Sequence, residues 1–240
     1  MGEVLAFDFE TTGVDRFIDV PVSYAMVTVV GGARVAISSS LVDPGRDIPT
    51  GATEVHGITN ERVRAEGMPL GEAIESVADA VIAASLRGIP LVGMKLDYDL
   101  TMLDTQCRRL GGGGLLERGW CGPVLDAVVL DRHHDRFRKG SRRLGALCAH
   151  YGVGIENAHD AVVDAIASAG VLRALAARYE DLAATDPSDL HEAQIGWHRE
   201  WAESYDRWRL RGGLTPLDER DFIWPVAPAV VCAPAMRLTA

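Results

Sequence analysis

Residues 3–13 read EVLAFDFETTG, and the fold of the chain is decided there. Val4, Leu5, Ala6 and Phe7 form a short apolar run closed by a Thr-Thr-Gly turn, which predicts a buried strand from Glu3 to Phe9. Asp8 and Glu10 stand at i and i+2, so their side chains project to one face, about 7 Å apart at the backbone. Paired acids at the end of a central strand repel unless a positive charge lies between them, and two oxygen donors at that spacing suit a hard divalent cation. A solvent-facing edge strand with two surface acids is the bland alternative, and the apolar residues that lead into the pair argue against it.

Outward from this strand, Val20 to Val30 and Ala33 to Val42 are β-rich and joined by Gly31-Gly32, a hairpin signal, so the chain opens as an antiparallel meander. A short polar helix is expected from Thr59 to Glu66. Ile74, Val77, Ala78, Val81 and Ile82 mark one face of a longer helix over Leu70 to Leu86. The remainder alternates: strand Ile89 to Gly93, helix Leu100 to Leu110, strand Val124 to Leu130, then helices Leu144 to Tyr151 and Ala161 to Tyr179. The expected class is α/β, a mixed sheet flanked by helices, with a helical appendage at the C-terminal end.

Two further segments bring chemistry to the acid pair. Residues 93–104, GMKLDYDLTMLD, run from a strand end into a helix and offer Asp97, Asp99 and Asp104 where α/β proteins build their sites. Alone, such an acidic turn reads as helix capping. Residues 157–165, NAHDAVVDA, place Asp160 as a helix cap, Asp164 one turn in, and His159 just outside the helix start, free to reach a cleft.

In order and spacing these three segments resemble the DEDDh branch of the DnaQ-like 3′-to-5′ exonucleases, which includes polymerase proofreading subunits and RNA-trimming enzymes. Asp8 and Glu10 with the following Thr11, Thr12 and Gly13 match the first motif, Asp99 the second, and His159 with Asp164 the third. Val55 to Thr59, with His56, is similar to a segment that lies against the terminal nucleotide in proofreading members, and Leu144 to Gly152 resembles the helix before the third motif. The likeness covers roughly residues 3–178. It implies an RNase H-like sheet and a metal-dependent exonuclease that shortens DNA from a single-stranded or frayed 3′ end, releasing nucleoside 5′-monophosphates.

Two divalent cations, Mg²⁺ or Mn²⁺, about 4 Å apart are implied, with Asp8 bridging them, Glu10 and Asp164 completing one site, Asp99 serving the other and His159 as general base. Thr11, Thr12, Gly13, His56 and Lys95 are the residues expected to touch the strand. One departure stands out: members commonly carry His-Asn shortly before the second-motif Asp, where this chain has Met94-Lys95. Lys95 either contacts a substrate phosphate or is solvated at the cleft edge. An exoribonuclease of the same fold, or a polymerase-associated binding subunit of weak activity, are the alternative readings.

The formal charge of −10 over 240 residues speaks against a protein that coats long nucleic acid through a basic surface, though not against an enzyme that grips one strand end with the help of cations. Four cysteines without CxxC spacing suit reduced thiols, and no apolar stretch is long enough for a membrane span, so a cytoplasmic location is expected. The four glycines from Gly111 to Gly114 read as a surface loop. Composition changes after Leu182, dividing the chain into an exonuclease unit over 1–182 and an extension over 183–240. Asp186-Pro187 opens a helix there, and Trp197, Trp201, Tyr205 and Trp208 form a stripe along it before a proline-containing end. The stripe is expected to pack on the core or on a second copy, with a polymerase as another candidate contact, rather than to serve as a base-stacking platform.

Overall fold

The computed structural model describes residues 2–155 and 159–229; Asn157 in the third segment and Cys232 in the proline-containing end lie outside them. Six strands form one mixed sheet. Strand β1 (Glu3–Thr11) is antiparallel to β2 (Pro21–Val30), which is antiparallel to β3 (Ala33–Asp43), and β4 (Met68–Pro69) adds to β3 at one edge. On its other side β1 pairs in parallel with β5 (Leu91–Gly93), and β5 with β6 (Val124–Asp126), giving the order β4-β3-β2-β1-β5-β6.

Because β1 is central, it is apolar on both faces. Phe7 and Phe9 point into a core built with α3 (Leu70–Leu86) and α4 (Leu96–Arg109), while Val4 and Ala6 point to α7 (Ala161–Arg178). The two-residue period of the strand therefore puts Asp8 and Glu10 on the α7 side. Helix α7 buries Ala161, Ala165, Ser168 and Leu172 along that side. Its small residues let its backbone approach the sheet closely, which brings the first turn to the acid pair.

Several boundaries differ from the sequence expectation, each for a local reason. Val124–Leu130 is not one strand: the Asp126 carboxylate accepts from Val128 N and Val129 N, and this cap turns the β-branched pair into the start of α5 (Ala127–His134). Helix α4 begins four residues earlier than expected, since Asp126 also accepts from Lys95 N and Leu96 N and holds its start; Asp97 and Asp99 thus lie in its first turn. An additional helix, α1 (Thr50–His56), precedes the expected α2 (Asn60–Glu66) and carries His56. Helix α6 (Leu144–Tyr151) is as expected, and a short α8 (Glu180–Ala184) follows α7.

The extension lies directly on this frame. Helix α9 (Pro187–Arg211), capped by Asp186, runs beside the outer edge of β6, where Val124 N donates to His191 Nδ1, Asp126 N donates to Gln194 Oε1, and Gln194 Nε2 donates to the Val124 carbonyl. Two side chains thereby satisfy an edge that would otherwise offer free backbone groups. Beyond α9 the chain is not simply extended, because a 3-10 turn over Glu219–Phe222 is fixed by Asp218 and Asp221. Arg16 clamps this turn to α4 through Asp97 at 2.8 Å and Asp221 at 2.9 Å, and Ala227 N donates to Thr101 Oγ1. No helix among the described residues is long and apolar enough to cross a membrane.

Candidate active site

Strand β1 ends in the acid pair, α4 supplies Asp99 and α7 supplies Asp164, so three elements distant in sequence converge at the carboxyl ends of β1 and β5. Asp99 sits at 5 % exposure and accepts from Phe9 N at 3.2 Å, which docks the first turn of α4 between Asp8 and Glu10 along the strand. Glu10 and Asp164 are 8 % and 9 % exposed. His159 is exposed and has φ +73°, a left-handed backbone held in part by its N–H donating to Asp164 Oδ2 at 3.2 Å. A non-glycine residue in that region is costly unless its surroundings fix it, and such positions concentrate at functional sites.

The electrostatics show what the arrangement lacks. Burial, then Asp99, Glu10 and Asp164, push the Asp8 carboxyl well above the ordinary range. Burial and the nearby Asp164 and Asp160 push Glu10 up to about 7, and burial raises Asp99 and Asp164 despite the backbone N–H groups that favour their charged forms. The Oδ1 atom of Asp164 is buried with no hydrogen-bond partner. Four carboxyls share one recess without a matching Lys or Arg among the described residues, and an orphaned buried oxygen among them fits a divalent metal ion.

Glu10, His159 and Asp164 each offer a ligand atom within 4.8 Å of the others. The imidazole thus stands at ligand distance, closer to the metal set than the general-base role alone requires. Asp8 and Asp99 belong to the same recess through their mutual charge coupling but fall outside that tight trio.

Around the recess, Thr12 is buried and its hydroxyl is engaged by Asp19, Arg46 and Val20 N. Thr11 Oγ1 and Tyr98 Oη both donate to the Gly13 carbonyl, at 2.7 and 2.5 Å. A Cβ on Gly13 would lie 2.5 Å from Asp19 Oδ2, so a side chain there would push the Asp19 carboxylate off Thr12 and the Asp15 N–H. His56 accepts from Ile58 N through Nδ1, leaving Nε2 as the protonated nitrogen, buried and without a partner; burial holds the ring below the ordinary histidine pKa. Lys95, exposed with φ +62°, opens α4.

Sequence reasoning missed Arg16 and Asp126. Arg16 bonds to residues 81 and 205 positions away, and Asp126 joins two helix starts, so neither leaves a local signal.

A family model described as RNase_T, exonuclease, matches residues 5–172. The chain belongs to that exonuclease family. The resemblance to DnaQ-like 3′-to-5′ exonucleases drawn from the motifs is borne out, as is the α/β class with a mixed, RNase H-like sheet. A DNA polymerase III subunit epsilon-like protein of Rhodobacter capsulatus is 34 % identical over 176 residues, 69 % of this chain and 22 % of the relative. The chain thus matches about a fifth of that protein's length. Exonuclease I of Methylocaldum szegediense superimposes with a TM-score of 0.62 at 21 % identity, covering 76 % of this chain and 42 % of that one. E. coli exonuclease I in complex with a dT13 oligonucleotide gives 0.61 at 19 %, covering 75 % and 42 %. At these identities the structural likeness shows the fold alone.

Proposed function

We propose that this exonuclease domain acts in the 3′-to-5′ direction on DNA, hydrolysing the terminal phosphodiester bond and releasing nucleoside 5′-monophosphates. The observation that carries the reading is the carboxylate recess with no Lys or Arg among the described residues to balance it. Asp8, Glu10, Asp99 and Asp164 would hold two divalent cations, Mg²⁺ or Mn²⁺, both of which oxygen donors suit. Bound there, the ions supply positive charge to the phosphate and acidify the attacking water.

The protein's own residues do the rest. His159 stands beside Glu10 and Asp164, where its imidazole accepts the proton of the attacking water. His56, whose imidazole lies beside the Thr11 backbone, would border the terminal nucleotide. Thr11, Thr12 and Gly13 shape the loop next to it, and the Lys95 ammonium, which makes no ion pair among the described residues, is free to meet a phosphate. The relative named as an epsilon-like polymerase subunit supports a polymerase as partner of the whole protein. Residues 1–182 are taken as the exonuclease unit and the rest as its extension.

The test is hydrolysis of 5′-labelled single-stranded DNA and matched RNA with Mg²⁺ or Mn²⁺. A ladder that shortens from the 3′ end of DNA, absent with chelator and in the Asp8→Ala protein, is expected. Shortening of RNA alone would replace the DNA reading with a ribonuclease, and a ladder that persists in Asp8→Ala would remove the acid recess from the chemistry.

A further inference from the structure

The four aromatics of α9 do not share one fate. Trp197 stacks on His133 at 3.7 Å between centroids and packs against both large core clusters. One turn later the stripe leaves the core. Trp201 stacks on Tyr205 at 5.3 Å and 14°, and Tyr205 on Trp208 at 5.6 Å and 11°, with Trp208 54 % exposed. These three rings stack on one another, and the Arg132 guanidinium closes the inner end, 3.5 Å from the Trp201 centroid.

The register of α9 locates this column. His191 and Gln194 pair with Val124 and Asp126, so α9 runs in the direction of β6, which is parallel to β5 and thereby to β1. Residues after Gln194 therefore project past the carboxyl ends of these strands, on the side where Asp8 and Glu10 lie. At 1.5 Å per residue, Trp201 stands about 10 Å and Trp208 about 21 Å beyond Asp126.

Between the column and the strand ends lies a cavity of about 190 Å³ bordered by Lys95, Asp97, Asp126, Arg132, His198 and Trp201. Its acids are already engaged, Asp97 by Arg16 and Asp126 by backbone N–H groups. Of its cations Arg16 is spent on Asp97 and Asp221, whereas among the described residues neither the Arg132 guanidinium, which lies over the Trp201 ring, nor the Lys95 ammonium makes a hydrogen bond or ion pair. His198, 5 % exposed, has its Nδ1 buried without a partner. Of the acids of α9 near the column, Glu200 borders a cavity together with Arg132 and Trp201, while Glu203 and Asp206 are turned aside or tied. Glu203 lies about 200° round the helix from Trp201, and the Asp206 carboxylate accepts from Leu217 N.

From this geometry we infer that the exposed outer face of Trp208, held at the end of the Trp201–Tyr205–Trp208 column, is a stacking site for an unpaired base of a nucleic-acid strand whose 3′ end sits in the acid recess, with Lys95 meeting its phosphates. The inference rests on the exonuclease reading and extends it to substrate class: a strand with several unpaired nucleotides next to the end. An exposed ring recognises the π-face that every base presents, so the site is indifferent to sequence, and the free Lys95 ammonium complements the phosphates that the overall negative charge would otherwise repel.

The experiment compares wild type, Trp208→Ala and Trp208→Phe on a long single-stranded oligonucleotide and on a trinucleotide. In Trp208→Ala the KM for the long strand should rise about 5- to 100-fold more than the KM for the trinucleotide, the range for losing one stacked base, and Trp208→Phe should restore most of it. An equal change for both substrates, or none, overturns the stacking site. Fluorescence anisotropy of a labelled oligonucleotide in excess chelator repeats the comparison without hydrolysis. If wild type cleaves nothing, the exonuclease reading fails, and the anisotropy still decides the column: weaker binding by Trp208→Ala supports it and equal binding overturns it. Sedimentation of wild type and Trp208→Ala gives the remaining outcome, since a dimer lost on substitution with strand binding intact would make the column a contact between copies instead.

Discussion

Two buried acid sites in this protein are built in opposite ways. Asp131, fully buried on α5, receives Arg138 at 3.2 Å, Arg142, and the Tyr151 hydroxyl at 2.8 Å, so each of its oxygens has a donor fixed by the fold. The recess of Asp8, Glu10, Asp99 and Asp164 gathers four carboxyls, raised in pKa by burial and by neighbouring acids, with no Lys or Arg among the described residues paired to them. The first site is complete and holds the 131–143 loop in place. The second would be completed by the cations proposed above, and on that proposal the difference separates an acid kept for structure from acids kept for chemistry.

Substitution should break the comparison most sharply. Asp8→Ala is expected to reduce hydrolysis by 10³-fold or more, by analogy with loss of a central electrostatic group, while the melting temperature without metal holds or rises, because one of the repelling charges is gone. His159→Ala should lower turnover by about 10²- to 10⁴-fold. Isothermal titration of the same variant with Mn²⁺ sharpens this: affinity largely retained marks a base, and affinity lost in proportion marks a metal ligand, the role its 4.8 Å grouping with Glu10 and Asp164 makes a direct rival.

Asp131→Ala should do the reverse of Asp8→Ala, costing about 3 kcal/mol in denaturant unfolding by leaving Arg138 and Arg142 without their partner, with residual activity following the folded fraction. An unchanged midpoint would remove the distinction between the two sites.

Metal and pH give the smallest effect. Folded-state carboxyl pKa values raised above their unfolded values mean that folding without metal takes up protons. That stabilisation is fully present below the ordinary carboxylate range and lost as pH rises through about 7, the value of Glu10. The melting temperature of the chelated protein should therefore fall over this window relative to Asp8→Ala. The gain on adding Mg²⁺ or Mn²⁺ should grow across it, reaching about 2.7 kcal/mol at a hundred times Kd. A metal-induced gain that is flat in pH would argue that the recess is not the binding site.

How much of this was legible beforehand depended on the range of the interaction. Asp8 and Glu10 could be placed from the strand's two-residue period, and Asp160 and Asp186 from cap chemistry, because both signals lie within a few residues. The Val124–Leu130 segment misled for the same reason: its β-branched residues favour a strand, and only the capping by Asp126 overrides them. The aromatic stripe showed its helical spacing but not its partners: Trp197 packs on the core and Trp201 on Arg132 of α5, while Tyr205 and Trp208 carry the stack outward.

By itself, then, the sequence determined the family, the mixed α/β sheet and the identity of the acids, since motif spacing and hydrophobic periodicity are local properties of the chain. Only the tertiary structure decided that His159 stands at ligand distance from Glu10 and Asp164, that His191 and Gln194 close the β6 edge, and that α9 carries its rings past the strand ends. Those facts depend on contacts between residues tens to hundreds of positions apart, and a linear pattern holds no measure of the distance that packing leaves between them.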